Sequence, residues 1–147
     1  MNIAMSHHEM ENFLAESHLA RIATIKPHGA PHVTPVWYLW QNNQLLISIV
    51  TNSVKAGNIR HNKKVAVTID TPTNFGKGVI IEGTANIEEI PEELLNQICQ
   101  RYVKEEDLEK YLEYAHTHFS SILLRINPEK IMTWDYFKDP FWSTINS

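Results

Sequence analysis

The sequence predicts a mainly β protein with helices added, an antiparallel barrel or sandwich forming one domain over residues 1–147. Three observations predict it. Several short segments rich in β-branched and aromatic residues follow one another with no long helix between them. Turn residues punctuate them, as Gly29 and the Asn42-Asn43 pair do. Only the stretch from Pro91 to about Phe119 switches to sustained helical spacing. With 147 residues, 43% of them hydrophobic, the chain suffices for one core and is short for two.

Ser6-His7-His8-Glu9 has the form of a capping box, and Met10, Phe13 and Leu14 follow at helical spacing, so a short N-terminal helix is expected. LARIATIK (residues 19–26), PHVTPVWYLW (31–40) and QLLISIV (44–50) then read as three strands of an antiparallel meander joined by tight turns. KVAVTID (64–70) and GVIIEGTANIEE (78–89) continue it, the second after the loop TPTNFGK (71–77). Gly76-Lys77-Gly78 precedes a strand rather than a helix, which makes it a turn and neither a dinucleotide fingerprint nor a P-loop. Pro91 suits a first helical turn. Leu94, Leu95, Ile98, Tyr102, Leu108, Tyr111, Leu112 and Ala115 recur at helical spacing, as two helices or one broken near Lys104, covering a barrel end. SILLRI (121–126) and KIMTWD (130–135) read as strands on either side of Asn127-Pro128, and the aromatic tail YFKDPFW (136–142) follows.

In QLLISIV, Leu45, Ile47 and Ile49 alternate with Leu46, Ser48 and Val50, and VWYLW carries large groups on both sides. One face of a small barrel fills the interior, so the other needs cover, and a second subunit is the expected cover.

Charge is distributed unevenly. Between Ser17 and Ile69 there is no Asp or Glu, yet Arg21, Lys26, Lys55, Arg60, Lys63 and Lys64 all fall there, in a chain of net charge −4. Two readings stay open, an anionic ligand bound by the first half or strands that acids simply disfavour. These cations form no dense patch in an acidic chain, so nucleic acid is not an expected partner. No apolar run approaches the ~20 residues of a membrane span. MNIAMSHHEMENF lacks the zones of a signal peptide, and the expectation is a soluble cytoplasmic protein with no membrane partner. Cys99 is the lone cysteine and reads as a small buried apolar residue rather than a nucleophile, so redox chemistry has to come from a cofactor. His7-His8 and His116-Thr117-His118 lack the cysteine or carboxylate partners of a zinc spacing, so no metal is expected. No Ser-His-Asp arrangement carries a local signature, and Glu92-Glu93 and Glu105-Glu106 read as solvated helix faces.

The stretch TNSVKAGNIRHNKK (51–64) is cationic and rich in small polar residues. Ser53 is placed to cap a short helix starting near Val54, which directs free backbone N–H groups beyond the preceding strand. Lys55 would add a point charge there and Thr51 a hydroxyl, the parts of a phosphate site. An ordinary capped turn with solvated lysines is the plainer reading of the same residues.

Taken together, ARIATIKPHGAPHVTPVWYLW, the hydrophobic strand after it, TNSVKAGNIRHNKKVAVTID and GVIIEGTANI resemble the pyridoxamine 5′-phosphate oxidase-like flavin-binding split-barrel family. The resemblance runs from about Leu19 to Ile87, with weaker echoes in Asn127-Pro128-Glu129-Lys130 and Trp134. It implies an antiparallel split β-barrel flanked by helices, a homodimer with FMN at the interface touched by residues from both chains. Gly29-Ala30-Pro31-His32 would turn into a strand whose Thr34-Pro35-Val36-Trp37 segment lies along the isoalloxazine. Thr51, Ser53, Lys55 and Asn58 would approach the ribityl phosphate, with Arg60 and Arg21 as further candidates. Trp134 and the aromatic tail would supply the second subunit's wall. The implied activity is that of an FMN-dependent oxidoreductase of a small, flat substrate stacked over the flavin. A deazaflavin coenzyme in the same cleft is the alternative cofactor, and a flavin or heme carrier without turnover is the non-enzyme reading. FMN is preferred because a deazaflavin's anionic glutamyl tail would need more cations along one groove. True pyridoxamine phosphate oxidases end in an Arg- and His-containing segment that grips the vitamer phosphate. DPFWSTINS contains neither residue, so vitamin B6 oxidation is not expected.

Overall fold

The computed structural model describes residues 2–72 and 76–145; part of the loop read over 71–77 lies outside the described residues. Local signals at the N-terminal end act as the sequence predicts. The Ser6 hydroxyl accepts the Glu9 N–H at 3.1 Å while the Glu9 carboxylate accepts the Ser6 N–H at 3.4 Å, and helix α1 (His7–Ala15) starts there. Gly29, at φ 94°, turns β1 (Ala20–Ile25) into β2 (Pro31–Val36). Asn42 and Asn43, at φ 52° and 57°, make the tight hairpin between β3 (Tyr38–Gln41) and β4 (Gln44–Val50).

PHVTPVWYLW, however, is not one strand. It breaks at Trp37, so that β2 pairs with β1 while β3 pairs with β4. The two pieces stand at opposite edges of a 7-stranded sheet ordered β2-β1-β5-β6-β7-β4-β3, in which β5 is Lys64–Asp70, β6 is Lys77–Glu89 and β7 is Ser121–Asp135. All neighbours are antiparallel, and the sheet curls until β2 approaches β4. Distant groups cause the break. The Tyr38 N–H donates to the Tyr102 hydroxyl at 3.2 Å, and the Tyr38 hydroxyl lies 3.0 Å from the carbonyl oxygens of both Leu14 and Glu16. Tyr38 is therefore held by two helical regions and leaves the β1 ladder.

Two further expectations are corrected. SILLRI and KIMTWD form a single strand, β7, of 15 residues. A register shift at Glu82/Gly83 absorbs Pro128, which has no N–H to give the ladder. Gly83 has to be bare there, since a Cβ would stand 2.1 Å from the Asn127 carbonyl oxygen. Gly76-Lys77-Gly78 is not a turn either: Lys77 and Gly78 begin β6, opposite Asp135 and Trp134, and the Trp134 ring fills the space where a Gly78 side chain would be.

The barrel interior packs Ile22, Ile47, Val67, Ile81 and Leu124 from the strands with Phe13 and Leu14 of α1. Ala56 and Ile59 join them from α2 (Val54–His61), the short helix capped by Ser53. Two helices, α3 (Glu92–Gln100) and α4 (Glu105–His118), follow β6. The first of them is not placed over a barrel end as expected. Instead α3 lies on β3 and β4, and Leu46 and Leu123, on the outward side of β4 and β7, are buried with Ile98 and Cys99 apart from the interior core. The part of the outward face around Leu46 and Leu123 is thus covered within the chain itself. On the rest of it, the register sets Val33, Ala23, Ala66, Glu82 and Lys130 in one row and Pro35, Arg21, Thr68, Ile80 and Met132 in the next, and Val33 and Met132 stay exposed.

The tail is anchored to the N-terminal helix, a 3-10 turn (Tyr136–Lys138) leading into the short α5 (Pro140–Ile145). Lys138 reaches the Glu9 carboxylate at 2.6 Å and holds it below the usual carboxylate range, yet Phe137 and Phe141 remain exposed. Among the described residues no helix is long and apolar enough to cross a membrane.

Candidate functional site

A cleft of about 260 Å³ opens where β2 parts from β3. Pro35, Val36 and Trp37 at the break form one side, with Ser48, Ile49 and Val50 at the end of β4. Lys55 enters from α2, and Phe119 and Ser121 flank the start of β7. The opposite wall is helical, with Leu95 and Cys99 from α3 and Tyr111, Leu112 and Ala115 from α4.

Lys55 is the one charged residue among those lining the cleft. Burial pushes its ammonium pKa down, and among the described residues it has neither an ion-pair nor a hydrogen-bond partner. A partly desolvated cation without a partner is unfavourable until an anion joins it. Burial also pushes the Cys99 thiol up to about 11, so it stays protonated and is no nucleophile at neutral pH. The Tyr111 phenol is raised by burial and further by the neighbouring Cys99. Among the described residues, no group of three or more His, Cys, Asp or Glu side chains gathers as a metal site would require.

The aromatic side of the cleft is fixed by a network that the sequence reading missed. The Trp37 indole stacks on Tyr102 at 5.0 Å with planes 7° apart and tilts against Tyr111 at 5.6 Å. The Tyr102 hydroxyl donates to the His18 carbonyl at 2.7 Å while accepting the Tyr38 N–H. Arg101, beside it, donates to the carbonyls of Leu14, Ala15 and Glu16 at 2.9 to 3.2 Å and stands 4.9 Å over the Tyr38 ring. It satisfies carbonyls that the end of α1 leaves free. An Arg-Tyr pair between two helical stretches was the available signal, but its partners lie more than sixty positions away.

Of the residues singled out in the sequence, Pro35, Val36, Trp37 and Lys55 line the cleft. Thr34 precedes them on β2, and its hydroxyl oxygen is buried without a hydrogen-bond partner among the described residues. Thr51 donates through its hydroxyl to the Ser120 carbonyl at 2.8 Å, and Arg60 donates to the Thr51 carbonyl at 3.0 Å. The Ser53 hydroxyl accepts the Ala56 N–H at 3.3 Å as the cap of α2. Asn58 turns inward, 4% exposed, with its amide donating to the Thr24 hydroxyl at 3.0 Å. Arg21 pairs with Asp70 at 3.1 Å. Trp134 packs on Gly78 near the end of β7 and does not line this cleft within one chain.

No curated protein matches the chain. Solved structures do. A conserved hypothetical protein from Mycobacterium tuberculosis superposes with a TM-score of 0.75 at 26% identity, covering 92% of this chain and 88% of the other. An F420 reductase superposes with a TM-score of 0.66 at 22% identity, covering 82% of this chain and 94% of the other. General Stress Protein 26 from Bacillus anthracis str. Sterne does so with a TM-score of 0.62 at 17% identity, covering 84% and 89%. The last two are likenesses of fold. The family model described as pyridoxamine 5′-phosphate oxidase matches residues 6–135, a span that takes in the whole sheet, the break at Trp37 and every residue lining the cleft. The chain therefore belongs to the pyridoxamine 5′-phosphate oxidase-like family.

Proposed function

We propose that the protein is an FMN-dependent oxidoreductase of a small substrate, with the flavin held in the cleft at the break between β2 and β3. The observation that carries this reading is Lys55, a partly desolvated, unpartnered cation in an otherwise uncharged cleft lined by aromatic and aliphatic groups. A flat aromatic anion answers both properties of the site. Lys55 would hold the phosphate, with the Thr51 and Ser53 hydroxyls and Arg60 near the base of α2. Because β2 is an edge strand, backbone groups on the open side of its Pro35–Val36 end would be available to the heteroatoms of the ring. Bound flavin would supply hydride and electron transfer, and the chain's part is to orient the ring, set its polarity and keep water out.

The likeness to an F420 reductase supports a coenzyme of the flavin type and keeps deazaflavin as the alternative. Lys55 as the one charged lining residue favours FMN, whose anionic groups are fewer than those of a glutamylated deazaflavin. The exposed face carrying Val33 and Met132 supports a homodimer, whose second copy would bring Trp134 and the aromatic tail towards its neighbour's flavin.

Titrating FMN and riboflavin into the protein and into Lys55→Met, at fixed salt, tests the reading. A charge-assisted hydrogen bond contributes ~1.5 to 3 kcal/mol, so the variant should bind FMN roughly 10- to 150-fold more weakly. Riboflavin, which lacks the phosphate, should bind as before. Equal losses for both ligands would mean structural damage. An undiminished affinity for FMN would remove Lys55 from the phosphate site, and failure of the unaltered protein to bind FMN would overturn the reading.

A further inference from the structure

The flavin reading assigns Lys55 and the β2–β3 break and leaves the helical wall of the cleft without a task. That wall is built from Leu95, Cys99, Tyr111, Leu112 and Ala115 and offers no charge. Its hydrogen-bonding groups are the Tyr111 hydroxyl and the Cys99 thiol, both kept protonated by burial. The two neighbouring tyrosines differ in a telling way. The Tyr102 hydroxyl is committed to the His18 carbonyl and the Tyr38 N–H, whereas the Tyr111 hydroxyl has no hydrogen-bond partner among the described residues. Tyr111 is nonetheless held in place. Its ring lies against Trp37, which is stacked on the pinned Tyr102, so the phenol is a donor in a prearranged position.

We propose that the α3–α4 wall is the substrate subsite, that it takes an uncharged planar ring compound, and that Tyr111 selects it by donating a hydrogen bond to a carbonyl-type oxygen on that compound. The assignment rests on the flavin reading in one respect, that the flavin phosphate occupies Lys55. With that cation taken, an anionic substrate would lose its hydration against Leu95, Leu112 and Ala115 and gain no counter-charge, so it is rejected. A neutral ring keeps the apolar contact, and an acceptor on its rim satisfies the Tyr111 hydroxyl, a stronger donor than the Cys99 thiol.

Equilibrium dialysis of the FMN-saturated protein against naphthalene, 2-acetylnaphthalene and 2-naphthoate tests this. The ketone should bind about 3- to 10-fold more tightly than the hydrocarbon, the difference a neutral hydrogen bond makes. The carboxylate should bind at least roughly 10-fold more weakly than the ketone, because its charge is left unpaired. Tyr111→Phe should bring the ketone down to the level of the hydrocarbon while leaving the hydrocarbon unchanged, which shows that packing is intact. A carboxylate that binds as tightly as the ketone overturns the substrate class. A ketone unaffected by Tyr111→Phe, or equal losses for all three probes, overturns the role of Tyr111. The same series on Lys55→Met without flavin reads the wall with the cleft's one charge removed. If FMN does not bind the unaltered protein the flavin reading fails, and the ranking of ketone against carboxylate in Lys55→Met still decides the wall.

Discussion

The outward side of the sheet has two halves of similar chemistry and opposite surroundings. On β4 and β7, Leu46 and Leu123 are 3% and 1% exposed, closed over in the company of Ile98 and Cys99. On β2 and the far end of β7, Val33 and Met132 are 64% and 45% exposed, although Ala23, Ala66 and Ile80 lie between them, in two rows that also carry Arg21, Glu82 and Lys130. Apolar residues on both sides of a strand announce that cover is needed without saying what provides it. The cleft lies on the seam. Its β2–β3 side comes from the edge of the open half, and its helical wall belongs to the cover of the closed half. A ligand bound there would be completed by whatever covers the open half, which is why the proposed cofactor and the proposed second copy stand or fall together.

The largest effect is expected from charging the open half. Val33→Glu would place a carboxylate in the middle of the proposed contact between copies, and an uncompensated buried charge costs ~3 to 5 kcal/mol. Light scattering should show a monomer for the variant and a dimer for the unaltered protein, with flavin lost from the variant. A stable unaltered monomer at micromolar concentration, still holding flavin, would break the comparison and the shared site with it.

A comparable loss, smaller at the low end, is expected on the closed half. Leu123→Ala removes most of a side chain that is 1% exposed, and such truncations cost ~2 to 5 kcal/mol. The denaturant midpoint should fall accordingly, and Cys99, 3% exposed, should become accessible to thiol reagents as α3 loosens. Val33→Ala, at an exposed position, should change the unfolding free energy of the dissociated chain by no more than ~0.5 kcal/mol. If the two truncations weigh alike, the halves do not differ as described.

The smallest effect concerns pH. The folded-state pKa of Lys55 is depressed, so between the folded and unfolded values the unfolded chain carries more protons, and the ligand-free protein gains stability as pH rises through that window. Lys55 keeps much of its solvent contact, so this gain is slight. The proposed ligand reverses the sense. FMN affinity should decline as pH rises through the depressed pKa and the cation is lost, while riboflavin affinity stays level. A parallel decline for riboflavin would detach the effect from the phosphate.

Much of the local architecture was legible in the amino-acid pattern because its causes are local. The Ser6 box, the Ser53 cap, the Asn42-Asn43 hairpin and the alternation along QLLISIV each arise within a few residues, and each appears as read. The sequence by itself also placed Trp37 and Lys55 in segments that the fold brings to one cleft. Only the tertiary structure decided where PHVTPVWYLW breaks, because the Tyr38 N–H answers to Tyr102, 64 positions away. It alone decided that β7 runs unbroken through Pro128, since Glu129 is left out of the ladder opposite Glu82 and Gly83 of β6, far away in the chain. It alone set α3 on the outward face and left the Tyr111 hydroxyl of α4 without a partner among the described residues, while Tyr102 spends its own on the fold. Periodicity tells which side chains must leave water, but the partner they meet is chosen by packing between segments far apart in the chain.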